Sequence, residues 1–171
     1  MRKFIVSVLS ALSFGASPSA GASETVVRED AFRLTLPGDW TGGYDAGSHT
    51  WSYRTSQQSE GITVGILQRA NGAEPQAIKS DFEIYLRARR DQELKLGGAE
   101  FILSEPRTLE QQGAYIARFD GADRVTKRRT QTLVIVNRTV AASFYYEALA
   151  LSDQEFQQRA SAIFGQVGLM Q

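Results

Sequence analysis

Cysteine is absent from the chain, and histidine occurs once, at His49. Without cysteine there is no disulfide framework, no thiolate nucleophile and no lipid anchor through an N-terminal Cys. A zinc centre built on several His or Cys ligands is excluded as well. Beyond the N-terminus no stretch is long and apolar enough to cross a bilayer, so no membrane span is expected. An excess of one charge is also missing, since 19 basic residues face 19 acidic ones. A nucleic-acid binder is strongly basic, and this balance speaks against nucleic acid as a partner. There is no Walker loop, no Gly-x-Gly-x-x-Gly fingerprint and no Gly-x-Ser-x-Gly elbow. The sequence therefore offers no catalytic residue, no metal site and no cofactor site, and it reads as a non-enzyme.

What is present begins with an export signal. Arg2 and Lys3 precede an uncharged stretch, Phe4 to Phe14, and then a run of small residues interrupted by Pro18. This is the order of a secretory leader. Ala20-Gly21-Ala22 supplies the A-x-A pattern, so residues 1–22 are expected to be removed, leaving 23–171 as a single globular domain in the periplasm or outside the cell. The apolar part of the leader is shorter than the roughly 20 residues a membrane span needs. Loss of Arg2 and Lys3 leaves the acidic residues two in excess.

The rest alternates between strand and helix signals. Phe32, Leu34 and Leu36 share one face of a strand that ends at Pro37-Gly38-Asp39. Gly42, Gly43 and Gly47 predict a loop. Trp51 and Tyr53 mark a second strand, and Ile62, Val64 and Ile66 a third. After a break at 70–74, Pro75 opens a helix over about 76–96, with Ile78, Phe82, Tyr85 and Leu86 on its apolar face. Gly97-Gly98 stops it. Strands are expected at 100–109 and 114–119, with a polar loop at 120–124. The strands at 126–136 and 139–147 are joined by an Asn137-Arg138 turn. Ser152-Asp153-Gln154-Glu155 is a capping box that starts a last helix bearing Phe156, Ala160, Ile163 and Phe164. Runs of strands indicate an α+β fold, a mostly antiparallel sheet of about six to seven strands with a long central helix and a C-terminal helix.

Four segments resemble the Mog1/PsbP/DcrB-like family, in its bacterial periplasmic form. They are Phe32 to Trp40, the central helix, the Phe144-Tyr145-Tyr146-Glu147-Ala148 hairpin end, and the Leu151 to Phe156 helix start. The likeness covers roughly residues 24–168. It implies an α/β/α sandwich around an antiparallel sheet. Family members include a photosystem accessory subunit, a nuclear GTPase-binding protein and bacterial periplasmic proteins. The family shares no catalytic set, so no functional residue carries over, and it favours binding over catalysis.

The candidate contact residues are Trp40, Tyr44 and His49 around the glycine-rich segment, with Arg124, Arg128 and Arg129 in a basic cluster. Aromatics with a polar tip are common interface anchors, though Trp51 and Tyr53 alternate as core residues would. The basic cluster spreads over both faces of a strand, as a solvated strand end or as a contact for an acidic partner or anionic headgroups. Asp120 and Asp123 flank a Gly-containing loop. Calcium needs about six to eight oxygens, so ordinary turn residues are the simpler account. Asn137-Arg138-Thr139 matches a glycosylation acceptor, but turn formation explains the Asn better. The leading expectation is an exported accessory protein that contacts another protein, with an immunity or adaptor role as a specific version. A small-ligand or lipid carrier, or a hydrolase using acids such as Asp39 and Asp45, are the alternatives.

Overall fold

The structure is a computed structural model that describes residues 23–69 and 74–169. The expected leader, 1–22, and most of the expected break, at 70–73, lie outside the described residues. The chain forms two compact units, one containing the segments up to Thr41 and from Ser152 onward, the other Gly42–Leu151.

In the first unit β1 (Glu24–Arg28) pairs antiparallel with β2 (Phe32–Pro37). Strand β11 (Gly168–Leu169) pairs antiparallel with the other edge of β2. Phe32, Leu34 and Leu36 are fully buried, as their alternation predicts. Helix α2 (Asp153–Phe164) packs on β2 and buries Phe156, Ala160, Ile163 and Phe164. Its capping box is complete: Ser152 Oγ accepts from the Glu155 amide, and the Glu155 carboxylate accepts from the Ser152 amide.

The second unit carries most of an eight-stranded sheet. Strand β3 (Trp40–Asp45) enters it from the first unit. The others are β4 (Thr50–Thr55), β5 (Glu60–Gln68), β6 (Phe101–Leu103), β7 (Arg107–Gln111), β8 (Ala114–Asp123), β9 (Arg128–Val136) and β10 (Val140–Leu149). Their order is β3-β4-β5-β10-β9-β8-β6, and β7 pairs with β8. The registered pairs are all antiparallel. Helix α1 (Pro75–Gly97) lies on one face of this sheet. Ile78, Phe82 and Leu86 pack there against Ala117, Phe119, Val134, Val136 and Ala141. Pro75 sits in its first turn, and Gly98 closes it at φ 82°.

Several expectations are corrected. The glycine-rich segment is a strand followed by a turn rather than a loop. Gly42 sits in β3 at φ 154°, and a Cβ there would lie 1.9 Å from the Ser52 carbonyl oxygen. The glycine is thus required by the close approach of β4. The polar run 120–123 continues β8. Gly121 is no turn residue, because a Cβ there would meet Thr130 Oγ1 at 2.4 Å and the Phe101 ring at 2.5 Å. The expected strand 100–109 is two strands, β6 and β7, with Pro106, which has no N–H to donate, between them. The last hairpin turns one residue later than expected. Asn137 stands at its entry, and its Oδ1 accepts from the amides of Thr139 and Val140, both at 2.9 Å. Among the described residues the larger sheet alone has eight strands against the six or seven expected, and the first unit adds a sheet of three; the α+β, mostly antiparallel class stands.

Candidate functional site

The β3–β4 turn is built from its own polar side chains. Asp45 Oδ1 accepts from the Gly47 amide at 2.9 Å, and Oδ2 from Ser48 Oγ at 2.7 Å. The bond from the Ser48 side chain, then that from the Gly47 amide, holds the Asp45 carboxyl below its ordinary range. That direction keeps it ionised, which suits a turn acceptor and not the general acid of a hydrolase. His49 completes the turn in the left-handed region, at φ 55°.

Tyr44, near the end of β3, reaches His49. Its hydroxyl lies 3.0 Å from His49 Nδ1, the donor depending on the imidazole tautomer. Its ring stands 4.9 Å from that of Trp51 on the neighbouring strand, tilted by 52°. Tyr44 is nevertheless 52% exposed. An outward-facing aromatic is therefore held in one place by two contacts.

Trp40 lies elsewhere. It is buried, its amide donates to Thr25 Oγ1 at 3.0 Å and its indole N–H to the Pro37 carbonyl at 3.1 Å. It belongs to the packing of the first unit.

The basic residues do not gather beside the turn. Thr50, next to His49, is level with Gly65, Ser143 and Val134 across the sheet. Arg129 is instead level with Ala148, which faces Glu60. The cluster thus sits toward the other end of the strands. Arg129 Nε donates to the Leu151 carbonyl at 3.3 Å, and the Arg128 guanidinium lies 5.1 Å from the Phe101 ring centre. Arg124 is exposed in the β8–β9 turn.

Asp123 Oδ1 caps that same turn, accepting from the Thr126 amide at 3.1 Å and the Val125 amide at 2.8 Å. These bonds, Thr126 first, hold its carboxyl below the ordinary range. Asp120 Oδ1 accepts from Gln131 Nε2 at 2.6 Å. Among the described residues no group of three or more His, Cys, Asp or Glu side chains is placed to hold a metal ion. No described helix is long and apolar enough to cross a membrane.

Sequence reasoning overlooked one cluster. Glu93, on the sheet-facing side of α1, is buried, and its Oε1 accepts from Thr132 Oγ1 at 2.6 Å and Arg89 Nε at 3.1 Å. Burial raises its carboxyl above the ordinary range, against the opposing charge of Arg89. The signal was available: Arg89 and Glu93 continue the stripe Ile78, Phe82, Tyr85 at helical spacing, so two charged residues occupy an inward face.

Among solved structures, cyanobacterial PsbP (CyanoP) from Synechocystis sp. PCC 6803 superposes with a TM-score of 0.67. The match covers 91% of this chain and 98% of that one, at 14% identity. At that identity the likeness establishes the fold, which is PsbP-like, and nothing further. The Ran-binding protein Mog1p of Saccharomyces cerevisiae is a looser match, with a TM-score of 0.44 at 12% identity over 83% of this chain and 85% of that one. LpqN of Mycobacterium tuberculosis, involved in cell envelope biogenesis, has a TM-score of 0.49 at 12% identity over 87% and 91%. These two carry no functional argument. No protein-family model matches the chain, and no curated protein matches it.

Proposed function

We propose that the chain is an exported, non-enzymatic accessory protein whose mature form, residues 23–171, binds another protein in the periplasm through the β3–β4 turn. The observation that carries this reading is the exposed Tyr44 ring, held against Trp51 and His49. Interface anchors are commonly aromatic, and an anchor ordered in advance loses less side-chain freedom on binding. The leader-like N-terminus supports the location, and the resemblance to a family of accessory proteins supports the class. An immunity or adaptor role is the specific version. Of the other candidates, the Arg124 to Arg129 segment is a separate surface, and buried Trp40 supports the strand end.

A photo-cross-linking residue placed at Tyr44 tests the reading. It should trap a partner in the periplasm that the same residue at exposed Lys79 does not trap. Tyr44→Ala combined with His49→Ala should fold normally and lose that partner in a pull-down. A partner list identical for wild type and double variant would remove the turn from consideration.

A further inference from the structure

Behind the same turn lies a pocket of about 280 Å³, between α1 and the sheet. It is just below the about 300–1,000 Å³ of typical small-molecule sites, a size suited to a molecule no larger than a monosaccharide. Arg89 and Gln92 contribute from α1 and His49 from the turn, while Gly65 and Ser143 lie on the sheet side. Among the described residues the charged or ionisable lining groups are Arg89, His49 and the Tyr85 phenol, with no Asp or Glu.

Arg89 is ordered before any ligand arrives. Its Nε donates to Glu93 at 3.1 Å, its Nη1 donates to Gln92 Oε1 at 3.2 Å, and its guanidinium carbon sits 5.0 Å from the Tyr145 ring centre. A guanidinium has five N–H donors, so these contacts leave most of its fork for a ligand. The Tyr85 hydroxyl, donating to Ser143 Oγ at 3.2 Å, adds a polar pair. Gly65 keeps the floor open: a Cβ there would lie 3.4 Å from Ser143 Oγ and 4.0 Å from Thr50 Cγ2, and its φ needs no glycine.

We propose that this pocket binds a small carboxylate, the carboxylate lying on the Arg89 fork and the rest of the ligand over Gly65 and Ser143. A planar guanidinium matches a carboxylate in a two-pronged geometry that an ammonium does not reproduce. Glu93 is a positioning residue, fixing the guanidinium from the buried side. The inference goes beyond the protein-binding reading and is tested without any partner.

The test is an amide-shift titration of the purified mature chain. The probes are glutarate and glucuronate, with the neutral counterparts glutaramide and glucose, and a capped Gly-Glu-Gly peptide. Saturable shifts at Gly65, Arg89 and Ser143 with the acids, and none with the neutral compounds, are expected. Arg89→Lys should weaken the acids several-fold, and Gly65→Val should abolish the shifts. If the peptide saturates more tightly than the free acids, the carboxylate comes from a macromolecule's side chain; the reverse order makes it a free metabolite. Absence of saturation with every acid, or equal binding of the neutral compounds, overturns the proposal. If Gly65→Val fails to fold, the acid-over-amide preference of the wild type and the location of its shifts decide the matter.

Discussion

Phe144 shows what one side chain contributes. It is fully buried in β10, opposite Val64 and Leu133. Truncating a buried Phe leaves a cavity and removes many close contacts, so Phe144→Ala should cost about 3–5 kcal/mol. A lower urea midpoint with an unchanged slope would record that loss. Such residues were legible in the sequence. Phe32, Leu34, Phe82, Leu133, Ile135 and Phe156 are also buried where alternation or helical spacing places them. The turn role of Asn137 was legible too, since its side chain bonds amides only two and three residues on. Gly121 was not, because the Phe101 ring beside it is twenty residues away in the chain. Likewise Tyr44 was readable as an exposed aromatic, but its contacts with His49 and Trp51 depend on the strand register.

At the scale of elements, short-range chemistry was the most readable. Pro75 and the glycines at 97 and 98 place both ends of α1, and the Ser152 box the start of α2, within a residue or two of where they are observed. Ser152→Ala removes the acceptor of the Glu155 amide and should cost about 1 kcal/mol, measurable as a lower thermal midpoint. Strands β1 and β11 carry no strong pattern of their own and exist through pairing with β2. Helix α1 carries a pH dependence through Glu93, which faces Arg89 and Arg90 on its own helix and Thr132 and Tyr145 on the sheet. Its folded pKa lies above the unfolded value of 4.5. The folded chain therefore holds that proton more tightly, and the contribution of Glu93 is most favourable below 4.5, falling away as pH rises through the raised value. Glu93→Gln should resemble wild type in acid and gain on it toward neutral pH. Urea midpoints at the two ends of that window check it; a difference that grows in acid instead would contradict the sign.

For the whole molecule, the proposed export predicts a mature N-terminus at Ser23, one residue before β1. Mass spectrometry of the periplasmic fraction should find it, and an intact Met1 there would argue against cleavage. The first unit is assembled from both ends of the chain, with Gly42–Leu151 inserted between them. That has a consequence for biogenesis. A chain emerging N-terminus first releases β1 and β2 long before Ser152, and the apolar side of β2 then lacks α2. Hairpins such as β8–β9 and β9–β10 are available for early, local folding, whereas β2 must wait for the segment from Ser152 onward. Closing so long a loop is entropically slow. Until it closes, Phe32, Leu34 and Leu36 form an adhesive apolar strip, the segment a holding chaperone would be expected to shield during synthesis.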